Sequence, residues 1–262
     1  MKDILNQIAE YARTRVAEAK RKMPLEQLRE QALGMELNTG FPFERALSSG
    51  EIGFICECKK ASPSKGLIAP TFPYLDIARA YEAAGAACIS VLTEPKWFLG
   101  RNQYLAEIAA AVSIPCIRKD FVVDEYMIYQ AKVLGASAVL LICALLDEET
   151  LGRYLALCDR LGLSALVEAH DETELTIALA AGARVIGVNN RNLRDFTVDL
   201  GNSVRLRRLA PEEVLFVAES GIKTAGDIAA LRRAKVNGVL IGEALMRAAD
   251  KKRVLAQLRG TV

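Results

Sequence analysis

Short apolar runs rich in β-branched residues alternate along the chain with longer segments whose apolar residues recur at helical spacing. Ile77, Ala80, Tyr81 and Ala84, for example, would share one face of a helix. This alternation is typical of successive βα units around a parallel sheet. About eight runs are candidates for strands: FICECKK (54–60), ACISVLT (87–93), PCIRKD (115–120), AVLLICA (138–144), SALVEA (164–169), VIGVNN (185–190), VLFVAES (214–220) and GVLIGE (238–243).

A glycine in an "AGA" or "LGA" context closes several of the predicted helices, at Gly85, Gly135 and Gly182. Glycine at this position ends a helix before the next strand begins. The rhythm predicts an α/β protein with a closed (β/α)8 TIM barrel over 51–262, and we expect 1–262 to form a single domain. An open doubly wound sheet is the structural alternative, but no GxGxxG motif follows the first strand.

Residues 1–50 lie outside this rhythm and predict a helical N-terminal extension. Pro24 is the expected first position of a second helix and Gly34 its expected stop. The pattern alone leaves open whether the extension covers the barrel floor or the catalytic mouth. Four apolar residues form one stripe of the first helix: Ile4, Ile8, Ala12 and Val16.

The composition narrows the function classes. The 262 residues are 52% hydrophobic and 25% charged, which suits a globular protein with a full core. The formal net charge is only +2, and basic and acidic residues are interspersed along the chain, so no nucleic-acid partner is expected. No apolar run reaches the roughly 18 residues of a membrane span, and the start MKDILNQIAE does not resemble a signal peptide. We therefore expect no membrane association and a cytoplasmic location.

The cysteines and the single His170 give no sign of a metal site. No CxxC pair occurs, and the one residue between Cys56 and Cys58 suits neither zinc nor redox chemistry. We expect reduced core thiols and no metal. The six cysteines are Cys56, Cys58, Cys88, Cys116, Cys143 and Cys158.

The end of the first predicted strand, ECKK, places an acid and a base on one face. Alternation points Glu57 and Lys59 into the barrel, whereas Cys56 and Cys58 face the helices. Buried charges are costly unless paired, so a mutual ion pair is the purely structural explanation.

Polar and ionisable residues also end most of the other strands. In a parallel barrel, the carboxyl ends of the strands meet at one mouth. A single such residue would favour a structural ion pair, but several at one mouth predict a catalytic site with general acids and bases. These residues are Lys119, Glu168, Asn189, Arg191 and Glu219.

Two glycine corners indicate a phosphate. ESGI (219–222) follows the seventh strand, and IGEALM (241–246) follows the eighth and opens a helix. These two loops form the recurring phosphate site of TIM barrels, although either glycine could simply permit a tight turn. The loop SPSKG (62–66) could cover the same phosphate with Lys65.

Aromatic residues near the mouth could line a pocket for a flat ring, and a core or capping role is equally open for each. They are Trp97, Phe98 and Phe121. Asp171 is the expected N-cap of a helix. His170, just before it, is expected to be a solvent-side loop residue without a chemical role.

An ordered set of motifs spanning essentially the whole chain resembles the indole-3-glycerol phosphate synthases. The motifs are ECKKASPSKG (57–66), KDFVVDEYMIYQAKVLGASAVLLI (119–142), LVEAHDETEL (166–175), GVNNRNL (187–193), AESGI (218–222) and LIGEALMR (240–247).

The resemblance implies a carboxy-lyase of tryptophan biosynthesis that works without a cofactor. Its substrate would be 1-(2-carboxyphenylamino)-1-deoxy-D-ribulose 5-phosphate, closed to indole-3-glycerol phosphate with loss of carbon dioxide and water. The family's helical extension helps to cover the substrate, which favours the mouth for residues 1–50.

Residue roles follow from the same resemblance. Lys119 would be the general acid that protonates the ribulose carbonyl oxygen, and we expect a lowered pKa for it in a mouth shared with other cations. Glu168 would stabilise positive charge or accept a proton. Lys59 would contact the substrate carboxylate and supply a proton during dehydration. Glu57 would be its partner and a candidate base. The groups expected to orient the substrate are Asn189, Arg191, Glu219 and Ser220.

The resemblance also implies the two ends of the substrate site. Phosphate would contact Ser62, Gly221, Gly242 and the N–H of Glu243. The aromatic ring would contact Phe98, Phe121, Leu140 and Leu193. The chain departs from the family pattern at Ala244, where serine is common, and at Arg101 and Asn102 after the second barrel strand.

Other phosphate-binding barrels are the nearest alternatives, such as phosphoribosylanthranilate isomerase or the tryptophan synthase α chain. A non-catalytic phosphometabolite sensor is an alternative of another class. Several paired ionisable groups favour an enzyme over a sensor. The oligomeric state is open, and we expect a monomer or a weak homodimer.

Overall fold

The computed structural model describes residues 4–192 and 197–261. Eight parallel strands close a barrel in the order β1-β10-β9-β8-β7-β6-β5-β4. The (β/α)8 prediction is therefore confirmed. The described residues form ten strands, of which β2 and β3 lie outside the barrel: β1 (Gly53–Cys58), β2 (Ala61–Ser62), β3 (Gly66–Leu67), β4 (Cys88–Leu92), β5 (Cys116–Lys119), β6 (Ala138–Ile142), β7 (Ser164–Ala169), β8 (Val185–Asn189), β9 (Leu215–Glu219) and β10 (Gly238–Ile241).

Helices follow most strands and pack outside the barrel, and one 3-10 turn (Cys143–Leu145) follows β6. None of the helices in the described part of the chain has the length and apolarity needed to cross a bilayer. The helices are α1 (Ile4–Lys22), α2 (Leu25–Leu33), α3 (Pro42–Leu47), α4 (Tyr74–Ala83), α5 (Asn102–Ala111), α6 (Glu125–Val133), α7 (Glu148–Arg160), α8 (Glu172–Ala180), α9 (Gly201–Arg207), α10 (Ala225–Arg233), α11 (Glu243–Arg247) and α12 (Lys251–Arg259).

Each of the eight barrel strands buries both of its faces, as the strands of a parallel barrel must. In β1, Cys56 and Cys58 pack in the layer between strands and helices, whereas Ile55 joins the core inside the barrel. The alternation predicted from the sequence is confirmed. All six cysteines are buried free thiols.

The predicted glycine stops are also confirmed. Gly85, Gly135 and Gly182 have φ of +80°, +82° and +88°, a region that residues with a Cβ adopt at a cost. They end α4, α6 and α8, so the chain turns directly into the next strand. Asp171 is the N-cap of α8, as predicted, because its side chain accepts a hydrogen bond from the N–H of Glu174 at 2.9 Å.

The N-terminal extension covers both ends of the barrel. Ile4, Leu5 and Ile8 of α1 line the cavity at the mouth. Phe43 and Leu47 of α3 pack into the inner core at the opposite end. The two alternatives left open by the sequence therefore describe two different segments of the extension.

Two local details differ from the sequence-based expectations. Pro24, the expected first helical position, is instead the N-cap of α2, which begins one residue later at Leu25, and Gly34 is the C-cap as expected. The pairing of β2 with β3 makes a small antiparallel hairpin of the 62–66 loop, with Ala61 opposite Leu67. Two-residue strands are too short for a hydrophobic pattern to reveal.

Candidate active site

A cavity of about 590 Å³ lies at the carboxyl ends of the barrel strands, beneath the first turns of α1. It is lined by every predicted site residue that the structure describes, and Leu193 lies outside the described residues. The lining residues among them are Glu57, Lys59, Ser62, Phe98, Lys119, Phe121, Leu140, Glu168, Asn189, Arg191, Glu219, Ser220, Gly221, Gly242 and Glu243.

Lys119 lies at the centre of a buried charge cluster. Its Nζ is 3.0 Å from Oε2 of Glu219 and 3.2 Å from Oε2 of Glu168. Burial by itself lowers the pKa of Lys119, but the carboxylates of Glu219, Glu168 and Glu57 outweigh it and raise the pKa above its usual value. The expected lowering is therefore wrong, because the neighbours that the barrel brings together are carboxylates rather than cations.

Two carboxyl groups flank this lysine and differ in their protonation. Burial raises the pKa of both, yet Lys119 and His170 hold the pKa of Glu168 well below its usual range. Glu219 has only Lys119 to oppose burial and the repulsion from Glu168, so its pKa rises to about 7. Oε1 of Glu219 is buried without a hydrogen-bond partner, which suits a carboxyl group that takes up a proton. Carboxyl groups with separated pKa values are typical of acid–base sites.

Glu57 and Lys59 form a second pair in the cavity, with Oε1 and Nζ 2.6 Å apart. Ser90 donates a hydrogen bond to Oε2 of Glu57 at 3.1 Å. Burial raises the pKa of Glu57, but Lys59 and Lys119 together lower it below its usual value. The structural ion pair and the inward orientation foreseen from the sequence are both present.

Gly242 allows this pair to lie against the end of β10. A Cβ at this position would be 2.6 Å from Oε1 of Glu57 and 2.9 Å from Nζ of Lys59, closer than real Cβ contacts. Gly187 has the same function on β8, where a Cβ would collide with Oε1 of Glu219. Glycine at these positions therefore makes room for charged side chains of neighbouring strands.

The predicted phosphate corners lie on the same cavity. Gly221 has φ of +82° and Ser220 before it has φ of +66°, so the chain turns sharply after β9. Nζ of Lys65, in the turn of the β2–β3 hairpin, is 3.9 Å from Oε1 of Glu243 at the start of α11. The hairpin therefore reaches the corner after β10.

The aromatic residues near the mouth divide into two groups. Phe98 and Phe121 line the cavity, with ring centroids 6.1 Å apart. Trp97 packs edge-on against Tyr11 at 5.7 Å. This contact supports α1, the lid helix that covers the mouth. Glu94, a buried residue that the sequence-based reasoning missed, positions this loop.

The carboxylate of Glu94 accepts hydrogen bonds from three consecutive backbone N–H groups. They belong to Lys96 at 2.9 Å, Trp97 at 2.7 Å and Phe98 at 3.0 Å. A buried carboxylate just after a strand was the only available signal, because its partners are backbone groups that have no pattern in the sequence.

A second missed residue, Asp120, ties α1 to the strand that ends in Lys119. Its fully buried carboxylate accepts hydrogen bonds from Arg15 of α1 at 2.7 and 3.0 Å and from Oγ1 of Thr93 at 2.6 Å. Arg118 lies 3.6 Å away as a further cation. The lid helix is therefore anchored next to the central lysine.

The expected solvent-side position of His170 is wrong. Its side chain is largely buried, with Nε2 3.3 Å from Oε1 of Glu168 and Nδ1 3.0 Å from Oε2 of Glu174. Glu174, in the first turn of α8, reaches back to the residue before the helix and holds it inward. The Glu174 carboxylate therefore helps to turn a predicted loop residue towards the charge cluster.

Comparisons with known proteins identify the family of this chain. The family model described as "Indole-3-glycerol phosphate synthase" matches residues 5–258. An indole-3-glycerol phosphate synthase of Ruminiclostridium cellulolyticum is 55% identical over 258 residues, covering 98% of this chain and 99% of that protein. One of Endomicrobium trichonymphae is 51% identical over 256 residues, with coverage of 98% and 99%.

Solved structures at low identity show the fold alone. A crystal structure of 3-hexulose-6-phosphate synthase matches with a TM-score of 0.64 at 16% identity, covering 80% of this chain and 100% of that one. Thiamine phosphate pyrophosphorylase from Pyrococcus furiosus matches with a TM-score of 0.60 at 15% identity, covering 81% and 95%. Because the family model and the relatives span nearly the whole chain, the chain belongs to the indole-3-glycerol phosphate synthase family of carboxy-lyases in tryptophan biosynthesis.

Proposed function

We propose that the mouth cavity is where 1-(2-carboxyphenylamino)-1-deoxy-D-ribulose 5-phosphate is converted to indole-3-glycerol phosphate. Lys119 is the proton donor of the ring-closing step. The observation that supports this role is the position of its Nζ, 3.0 and 3.2 Å from two carboxylates inside the cavity. The raised pKa keeps Lys119 protonated at neutral pH. An alkoxide is far more basic than an amine, so proton transfer to the forming alkoxide remains favourable.

The reaction needs three steps after binding: ring closure, decarboxylation and dehydration. The aromatic carbon that bears the carboxylate attacks the ribulose carbonyl carbon, and Lys119 delivers its proton to the carbonyl oxygen. Carbon dioxide then leaves, and its bonding electrons restore the aromatic ring. The new hydroxyl group leaves as water with a proton from Lys59, pushed out by the ring nitrogen, and a carboxylate removes the proton from the adjacent CH2 carbon.

Glu57 and Glu168 are the candidate bases for that last proton. Both carboxyl groups have pKa values held below the usual range by lysine, so both are ionised at neutral pH. Glu168 also faces positive charge that develops on the nitrogen during dehydration. Asn189, with Nδ2 3.5 Å from Oε1 of Glu168, lies where it would orient the substrate.

We propose that the remaining walls bind the two ends of the substrate. We assign the phosphate to Ser62, Gly221, Gly242 and the N–H of Glu243, with Arg191, Glu219 and Ser220 towards the hydroxyl and carboxylate groups. The flat ring would lie against Phe98, Phe121 and Leu140, with Leu193 outside the described residues. Such a site folds a flexible substrate into a ring-closing geometry.

The structure argues against an isomerase that uses a strand-end cysteine. Burial raises the pKa of Cys56 to about 12 and also holds the pKa of Cys58 well above its usual value. Both thiols face the helices rather than the cavity. We further propose that 1–262 acts as one domain in the cytoplasm, as a monomer or a weak homodimer.

The direct test is to incubate the purified protein with the carboxyphenylamino-deoxyribulose phosphate and follow indole fluorescence. Lys119→Met is expected to lower kcat by about 10³-fold. Lys235→Met is the matched control, because Lys235 pairs with Glu212 on the surface with its side chain 69% exposed. Turnover by the folded Lys119→Met variant at the control's rate would reject the role of Lys119. No product from the folded wild type would reject the proposed reaction.

A further inference from the structure

A line of three side chains, Glu174, His170 and Glu168, runs from the first turn of α8 into the charge cluster. Nδ1 of His170 lies 3.0 Å from Oε2 of Glu174, and Nε2 lies 3.3 Å from Oε1 of Glu168. The other oxygen of Glu168, Oε2, lies 3.2 Å from Nζ of Lys119. The two oxygens of Glu168 therefore face different cations.

The backbone around His170 fixes the orientation of its ring. Oε2 of Glu174 accepts the His170 backbone N–H at 2.8 Å as well as facing the ring nitrogen. Asn202 donates from Nδ2 to the His170 carbonyl oxygen at 3.0 Å. The N-cap Asp171 in turn holds the N–H of Glu174. The backbone of His170 and the Glu174 carboxylate that faces its ring are thus both held in place.

The charges around this histidine favour its protonated form. Burial lowers its pKa, but the negative charge of Glu168 and the charge and hydrogen bond of Glu174 raise it to about 10. His170 is the single histidine of the sequence. The charged groups that share the neighbouring cavity with it and Glu174 are Asp171, Arg191, Asp199 and Arg205.

The ion pair with Glu168 is close but not aligned as a hydrogen bond, because Nε2 is buried without a hydrogen-bond partner. The attraction between the two groups is therefore that of opposite charges 3.3 Å apart. It gains weight when Lys119 gives up its proton, because Glu168 then loses the attraction of its main cation.

We propose that His170 is a positioning residue for ring closure: it holds Oε1 of Glu168 so that Oε2 stays towards Lys119, and it remains as the counter-charge of Glu168 after Lys119 transfers its proton. This inference rests on the proposed roles of Lys119 and Glu168. Glu174 acts one step further out by fixing the imidazolium ring. Neither His170 nor Glu174 lines the mouth cavity, so both act through Glu168.

The test compares His170→Asn with His170→Gln, Glu174→Gln and Glu168→Gln. The asparagine amide keeps a donor near the position of Nδ1 but cannot reach Glu168, whereas the longer glutamine amide reaches towards it without charge. We expect His170→Asn to lower kcat by about tenfold with KM changed less than about twofold, and His170→Gln to recover part of the loss. Glu174→Gln should lower kcat less than His170→Asn.

The pH dependence separates positioning from a loss of structure. Without the imidazolium, the pKa of Glu168 rises, so the variant loses turnover on acidification sooner than the wild type. The ratio of kcat at pH 5 to kcat at pH 7.5 should fall by roughly threefold or more in His170→Asn. It should fall less in His170→Gln. Thermal unfolding of each variant shows how much folded enzyme is present.

The outcomes distinguish this inference from the proposed function. If Glu168→Gln loses turnover while His170→Asn keeps the wild-type kcat and pH ratio, the inference is wrong and the role of Glu168 stands. A lower kcat for His170→Asn with an unchanged pH ratio, matched by a loss of folded protein, indicates a structural role and also overturns it. If Glu168→Gln keeps full turnover, the proposed role of Glu168 is itself wrong. Should His170→Asn not fold, His170→Gln and Glu174→Gln decide by the same two readouts.

Discussion

The floor and the mouth of this barrel are formed by the two ends of the same eight strands, but their side chains are of opposite character. At the floor, Phe43 and Leu47 of α3 fill the inner core, and Cδ2 of Leu47 leaves no room for a Cβ at Gly53 or Gly238. At the mouth, buried lysines and glutamates fill the corresponding space around Lys119.

The difference between floor and mouth shows which end of the barrel stabilises the fold and which contributes little to its stability. Apolar burial stabilises the fold in proportion to the area removed from water. A buried ion pair offsets its own desolvation at best, so a charged mouth contributes little to stability. Floor variants should therefore change the free energy of unfolding, whereas mouth variants should change turnover.

The largest expected effect is on the floor. Phe43→Ala is expected to lower the free energy of unfolding by about 3–5 kcal/mol, because the fully buried ring leaves a cavity. Leu209→Ala, at a side chain 52% exposed, is the control and should stay within about 0.5 kcal/mol. Guanidinium unfolding measures both, and kcat per folded molecule should be unchanged. A loss of kcat at wild-type stability would contradict the division between floor and mouth.

The lid helix provides the next test, because α1 belongs to the mouth but is held by a buried ion pair. Arg15→Met is expected to cost about 2–3 kcal/mol in the free energy of unfolding and to raise KM, since Asp120 loses both hydrogen bonds from Arg15 and keeps Arg118, Thr93 and the N–H of Phe121. Lys20→Met is the matched control on the same helix: its pair with Asp124 is about one third exposed on each side and should be worth less than about 1 kcal/mol. Equal costs for the two variants would show that Arg15 is no special anchor.

A smaller effect separates turnover from stability at the mouth itself. Gly242→Ala should lower kcat/KM by about tenfold or more, because the added methyl group pushes Glu57 and Lys59 apart, with less than about 1 kcal/mol lost in stability. Gly152→Ala inside α7 meets open space and should stabilise slightly, by up to about 1 kcal/mol, at unchanged activity. Unfolding and steady-state kinetics on the same preparations measure both. Unchanged kcat/KM for Gly242→Ala would remove the steric argument.

The smallest expected effect is a pH dependence of stability from Glu219. Its pKa is raised from 4.5 to about 7 in the folded protein, so between these values the folded state holds a proton that the unfolded state has lost. Stability therefore falls as pH rises through this window. The Glu219→Gln variant lacks this loss, and its free energy of unfolding relative to the wild type should increase by about 1 kcal/mol from pH 4.5 to pH 7.5. A difference that does not change with pH would show that Glu219 is ionised throughout.

The strand and helix order, the glycine stops and the inward orientation of Glu57 and Lys59 were predictable from the sequence. These features depend on periods of two and 3.6 residues and on glycine at positive φ, which are local properties. Glu94 and Asp120 were not found, because their partners are backbone groups and a helix about 100 residues away in sequence.

The sequence by itself determined the barrel, the mouth at the carboxyl ends of its strands and the family to which the chain is similar. Only the tertiary structure decided the charge state of the site, including the raised pKa of Lys119 and the inward position of His170. The physical reason is that electrostatic energy depends on distance through space. Lys119 and Glu168 are 49 residues apart in the chain and become neighbours only when the barrel closes.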